Sequence, residues 1–144
     1  MFEKSIDDRI SAWSEHRVNL EHSSDPLLET WEFWKGAPYI PYNKDLELFN
    51  PMSWPTPWEI IVNNKYDDFT KALMIARSLK FTNRFRHTQI VIKTLVNPYN
   101  KCYYNVVCVN EEWAINYNDN GPVMTKDIPD SFYLENLIEV EMPR

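Results

Sequence analysis

Apolar residues recur at helical spacing near the start of the chain, crowd one stretch in its middle, and then give way to short β-branched runs. Ile6, Ile10, Trp13, Arg17 and Leu20 fall every three to four residues and predict a first helix with one largely apolar face. Ser5 with Asp8 forms an S-x-x-D start signal, and Glu21-His22-Ser23-Ser24 ends the run. Asp25-Pro26 predicts a second helix, with Asp as N-cap and Pro in the first helical position, and with Leu27, Leu28, Trp31 and Trp34 as its buried side. It stops near Gly36, and Pro38 bars continuation. Thr56-Pro57-Trp58-Glu59 reads as a capping box opening one helical turn to Val62, followed by an Asn63-Asn64-Lys65 turn. The central helix is expected over Tyr66–Leu79, capped by Asp67 or Asp68. Phe69, Ala72, Leu73, Ile75, Ala76 and Leu79 cover most of its circumference, as in a helix packed in the middle of a domain. Arg77 and Lys80 occupy the last turn, where cations are favoured.

The pattern then becomes that of antiparallel strands. Gln89–Val96 is rich in β-branched residues, Asn97-Pro98-Tyr99-Asn100 reads as a hairpin loop, and Tyr103–Val109 is the return strand. Asn110-Glu111-Glu112 turns into a strand at Trp113–Tyr117, and Asn118–Pro122 is a strong turn signal. Ser131–Met142 alternates enough for an edge strand, with a short helix around Phe132–Leu137 as the alternative. The expectation is an α+β fold: N-terminal helices, a central buried helix and a three- to four-stranded antiparallel sheet. One domain, 1–144, is expected, comprising helices over 1–36, a connector over 37–57 and the helix-plus-sheet core over 58–144. A chain of 144 residues suits one core and needs no staples.

Composition sharpens this picture in three places. The connector alternates Pro38, Pro41, Pro51, Pro55 and Pro57 with Tyr39, Tyr42, Phe49 and Trp54, a stiff aromatic loop of the kind that wraps a surface, its own or a partner's. With only two Gly, phosphate-cradling loops are excluded. Six Trp, eight Tyr and seven Phe exceed what a minimal core uses, so either the core is unusually aromatic or some rings serve contacts.

Charge is segregated. Residues 1–65 carry six Lys/Arg against eleven Asp/Glu, residues 66–101 seven against two, and residues 102–144 two against eight. The basic island of Lys71, Arg77, Lys80, Arg84, Arg86, Lys93 and Lys101 is expected to pair with the acidic flanks of its own chain rather than with a phosphate backbone, so direct nucleic-acid binding is not expected. Cys102 and Cys108, six apart on one strand, would lie roughly 20 Å apart, too far for a disulfide. That usage, with no apolar leader after Met1–Arg9 and no apolar run of membrane length, predicts a cytoplasmic protein without a membrane.

Candidate chemistry is sparse. His16, His22 and His87 form no ligand pair with one another or with a cysteine, so no metal and no cofactor are expected. Asp67-Asp68 could act as a carboxylate pair, but adjacent helical residues point about 100° apart, which favours a capping role. Glu111-Glu112 reads as a solvated turn.

The order of elements carries more. A helical turn at Pro57–Val62, an Asn/Lys turn, a buried helix and antiparallel strands resemble the core of transglutaminase-like, papain-like cysteine hydrolases over roughly Trp58–Tyr117. The strands Tyr104-Asn105-Val106-Val107-Cys108-Val109 and Trp113-Ala114-Ile115-Asn116-Tyr117 resemble that family's His-bearing strand and its Trp-x-x-Asp strand. The resemblance implies a nucleophilic Cys at the head of the central helix, activated by the helix dipole, with a His base and an orienting Asp or Asn on successive strands. This chain has Asp67 and Asp68 at the helix head, Tyr104 or Asn105 at the His position and Asn116 at the Asp position. A carboxylate there is a poor acyl-transfer nucleophile, so the resemblance implies a degenerate site at Asp67, Asp68, Asn105 and Asn116 with no catalytic residue.

The run Trp54–Ile61 followed by Lys65-Tyr66-Asp67-Asp68 resembles small proteins of tailed bacteriophages, often minor virion components. That resemblance implies a non-enzymatic structural or adaptor protein, in the virion and, before assembly, in the host cytoplasm. Its partners would be other virion proteins, in an assembly that could be symmetric, with Trp31, Trp34, Tyr39, Tyr42, Trp54 and Trp58 as the partner-binding residues. A degenerate hydrolase and a small inhibitor of a host protein are the alternatives.

Overall fold

The structure is a computed structural model, and it describes residues 1–44 and 46–141. It is an α+β fold of four helices and a five-stranded antiparallel sheet. The helices are α1 (Ile6–His22), α2 (Pro26–Trp34), α3 (Pro57–Asn63) and α4 (Asp68–Lys80). The strands are β1 (Ile90–Val96), β2 (Tyr103–Val109), β3 (Trp113–Ile115), β4 (Val123–Met124) and β5 (Tyr133–Glu139), in the spatial order β4-β3-β2-β1-β5.

The helix starts follow the local chemistry of the sequence. Ser5, Asp25 and Asp67 each accept a backbone N–H three residues on, from Asp8, Leu28 and Thr70. At α3 both bonds of the capping box form: Glu59 N–H to Thr56 Oγ1 at 3.2 Å and Thr56 N–H to Glu59 Oε1 at 3.1 Å. Of the two candidate caps for the central helix, Asp67 takes the position, which leaves Asp68 in the first turn with its carboxylate free for other partners.

The sheet lays one face on α4. Ile90, Ile92, Val107, Val109 and Ile115 join Leu73, Ile75, Ala76 and Leu79 in the main core, together with Trp13, Leu20 and Trp34 from the N-terminal helices. The other face holds a smaller cluster of Val91, Val106, Cys108 and Ala114, with Ile128 packed against it from the segment between β4 and β5. That segment therefore passes across the sheet, because β4 and β5 occupy opposite edges.

Several expectations require correction. The sheet gains a fifth strand, since Val123 and Met124 pair with β3; two residues are too few for periodicity to reveal. The segment expected as Ser131–Met142 forms β5 only over Tyr133–Glu139, as a strand and not a helix, and Met142 lies outside the described residues. On α1, the buried stripe is Trp13, His16 and Leu20, while Ile6 is exposed. On α2, the buried positions are Pro26, Thr30 and Trp34, with Leu27, Leu28 and Trp31 half-buried.

Among the described residues no side chain of the basic island forms an ion pair with the acidic flanks. Among the described residues the one ion pair joins the Met1 amine to Glu3. Arg77 instead donates to Pro55 O at 2.9 Å, Arg84 to Leu20 O and Ser23 O, and Lys80 to Thr88 O. These cations satisfy carbonyls at chain corners, a role that residue counts along the chain do not encode. Burial brings the Arg77 guanidinium down to about 10, which leaves it charged at neutral pH.

Candidate functional site

The residues at the head of α4 converge. Asp68 Oδ2 accepts the backbone N–H of Asn105 at 3.1 Å and its side-chain Nδ2 at 3.0 Å. Asp68 Oδ1 accepts Asn116 Nδ2 at 3.2 Å, and the second hydrogen of the same amide goes to Asn105 O at 2.9 Å. The Asn105 amide oxygen accepts Thr94 Oγ1 at 2.8 Å. Only amide nitrogens can donate to a carboxylate, so the orientation of both asparagines follows from the chemistry. Asn116 reaches Asp68 because its backbone turns into the left-handed region (φ 70°) just after β3, a conformation that asparagine tolerates better than most residues.

Three of the four positions named from the hydrolase resemblance thus form one cluster, from the helix head, β2 and the end of β3. The fourth does not join it. Asp67 caps α4 through Oδ1 and accepts Asn43 N–H on Oδ2 at 3.0 Å, tying the connector to the helix.

The cluster is a clasp in its chemistry. Asp68 accepts three N–H donors spread over both oxygens, and the described bonds place no Cys, Ser or His against it. A carboxylate held in this way locks helix to sheet, its two oxygens engaged by donors from β2 and from the chain after β3. Among the described residues no group of three or more His, Cys, Asp or Glu could hold a metal ion.

Above the clasp opens a cleft of about 470 Å³. Trp31 enters it from α2 and Lys35 from that helix's C-cap, Asp68 and Lys71 from α4, and Tyr103 and Tyr104 from β2. The run Asn116-Tyr117-Asn118-Asp119 closes the remaining side. Tyr104 and Tyr117 lie with ring centroids 5.9 Å apart, and Lys35 Nζ sits 5.1 Å from the Trp31 ring. The sequence reading missed Lys35, Lys71, Tyr103, Tyr117 and Asp119. They come from four separate segments, and no spacing rule links them.

The six residues expected to contact a partner divide sharply. Tyr39 and Tyr42 are exposed, and Trp58 is partly so while packing edge-on against Trp13 and Phe81. Trp31 is half-buried and forms a wall of the cleft. Trp54 is half-buried, bonded to Glu47 O and edge-on to Phe69. Trp34 is fully buried, with its indole N–H on Ser78 Oγ at 2.9 Å, so it is a core residue and cannot meet a partner. Its place among the anchors is corrected accordingly. Periodicity marked it as apolar, but only packing separates a buried ring from a presented one.

No family model, no curated protein and no solved structure matches this chain.

Proposed function

We propose that this protein is a non-enzymatic adaptor that binds other proteins through its connector, as a component of a tailed-phage particle. The observation that carries the reading is the outward display of the connector. Tyr39, Tyr42, Phe49 and Met52 are 72, 70, 84 and 95% exposed, although each is large and largely apolar. The loop that bears them is pinned to the body. Tyr39 bridges Tyr66, with Ile40 N–H on Tyr66 O and Tyr66 N–H on Pro38 O, both at 3.0 Å. A pinned loop presenting exposed rings binds with little loss of freedom, which is the economy of a preorganised contact. The engaged state of Asp68 supports the non-catalytic half of the reading.

Replacing Tyr39, Tyr42 and Phe49 together by Ser tests it. The variant is expected to melt at the wild-type temperature, since these side chains leave the core untouched, yet to be lost from particles of a phage carrying this gene. Wild-type particles lacking the polypeptide by mass spectrometry overturn the virion assignment.

A second reading, a degenerate transglutaminase-like hydrolase, is favoured by the convergence of Asp68, Asn105 and Asn116 at the helix head. It expects slow ester or amide hydrolysis that Asp68→Ala abolishes while far-UV circular dichroism is unchanged.

A further inference from the structure

We propose that the cleft above the Asp68 clasp is a binding site for a neutral saccharide of one or two rings. The cleft is a different surface from the connector, so the two proposals can fail separately. The cleft's size lies within the ~300–1,000 Å³ range of small-molecule sites. Its charges cancel: Lys35 and Lys71 stand against Asp68 and Asp119. An anion entering the cleft meets two carboxylates and a cation meets two ammonium groups, so neither sign is favoured, whereas an uncharged polar ligand avoids both repulsions.

The polar groups are unspent. The side chains of Lys35, Lys71 and Asp119 make no hydrogen bond or ion pair with the described residues, that of Lys35 having only its contact with the Trp31 face. Asn118 uses its amide oxygen on Asn120 N–H at 2.9 Å and keeps both amide hydrogens. Ammonium groups, a free carboxylate and a free amide N–H₂ together supply the mixed donors and acceptors that hydroxyl-bearing rings need, because each hydroxyl both donates and accepts.

The walls supply the other half of sugar recognition. Trp31, Tyr103, Tyr104 and Tyr117 line the cleft from two sides. The electron-rich face of an aromatic ring attracts the weakly positive C–H face of a pyranose, and Tyr and Trp combine such a face with a polar edge. The clasp contributes rigidity. Asn116, bonded to Asp68 and Asn105, anchors the start of the segment that carries Tyr117, Asn118 and Asp119.

Nitrogen-15 NMR titration of the intact protein tests this with maltose, cellobiose, lactose and N,N′-diacetylchitobiose as probes, each to about 10 mM, with ATP and spermidine as charged comparators. At least one disaccharide is expected to shift the Trp31 indole and the Asn118 and Asp119 amide signals saturably. Trp31→Ala and Asp119→Asn are expected to weaken that binding about tenfold or more. Trp113→Ala, in the separate cavity bounded by Leu27, Phe85 and Val109, is expected to leave it unchanged. Asp119 is exposed, so its variant remains folded even if Trp31→Ala does not. Absence of a saturable shift with all four disaccharides overturns the proposal. So does tighter binding of ATP or spermidine at the same signals, or a disaccharide site that maps elsewhere.

Discussion

Ser78 accepts the indole N–H of Trp13 and of Trp34, each at 2.9 Å, and donates its own hydrogen back to Met74 O at 2.7 Å. One hydroxyl on α4 thereby satisfies two buried tryptophans from α1 and α2. Ser78→Ala removes the acceptor and leaves two indole N–H groups in a dry core. The expected cost is about 2–4 kcal/mol, read as a lower urea midpoint with unchanged slope.

His16 poses a related problem of burial. It stacks on Phe33 with centroids 4.0 Å apart, meets Thr30 Oγ1 at 3.0 Å, and burial with the adjacent Arg17 charge brings its pKa down to about 4. The unfolded chain takes up this proton near pH 6.5, the folded one only near pH 4. The neutral ring's stability is therefore complete above pH 6.5, is lost as the pH falls toward 4, and levels off below that. The full span is about 3 kcal/mol. His16→Gln is expected to flatten that slope in denaturation curves taken across the window.

At the scale of elements, the Asp68 clasp joins the head of α4 to β2 and to the chain after β3. Asp68→Ala leaves Asn105 and Asn116 without their acceptor and is expected to cost about 2–3 kcal/mol, with faster hydrogen exchange at the Asn105 amide. The turn between β2 and β3 offers the opposite case. Asn110 and Glu111 both have positive φ, 53° and 59°, the type I′ geometry that asparagine and glycine favour. Glu111→Gly creates an Asn-Gly turn, and because the Glu111 carbonyl that accepts Thr125 Oγ1 is retained, it is expected to stabilise the protein by about 0.5–1 kcal/mol in thermal unfolding.

At the scale of the whole molecule, the two cysteines report on the fold. Cys102 is exposed, just before β2, and Cys108 is buried in the sheet's outer cluster, where burial pushes its thiol pKa up. A disulfide reagent at neutral pH is expected to modify one thiol rapidly and the second only on unfolding. Equal rates would show that the outer face of the sheet opens readily. Tyr117, Val123 and Ile128, from the chain after β3, pack against that face.

The amino-acid sequence by itself determined whatever depends on neighbours along the chain. The caps at Ser5, Asp25 and Thr56, a cap at Asp67 or Asp68, the proline at the start of α2, the hairpin β1–β2 and the crowded apolar surface of α4 are all products of interactions spanning a few residues. The α+β class follows from the change of period between Leu79 and Ile90. Tertiary structure alone decided the rest, because it sets which distant segments meet. It made Trp34 a core residue while leaving Tyr39 and Tyr42 outside. It turned Arg77 and Arg84 toward carbonyls rather than acidic side chains, and it paired the two residues of β4. It also gathered Trp31, Lys35, Lys71 and Asp119 around the Asp68–Asn105–Asn116 clasp. No periodicity records an encounter between residues 31 and 119; it exists only once helix and sheet have packed.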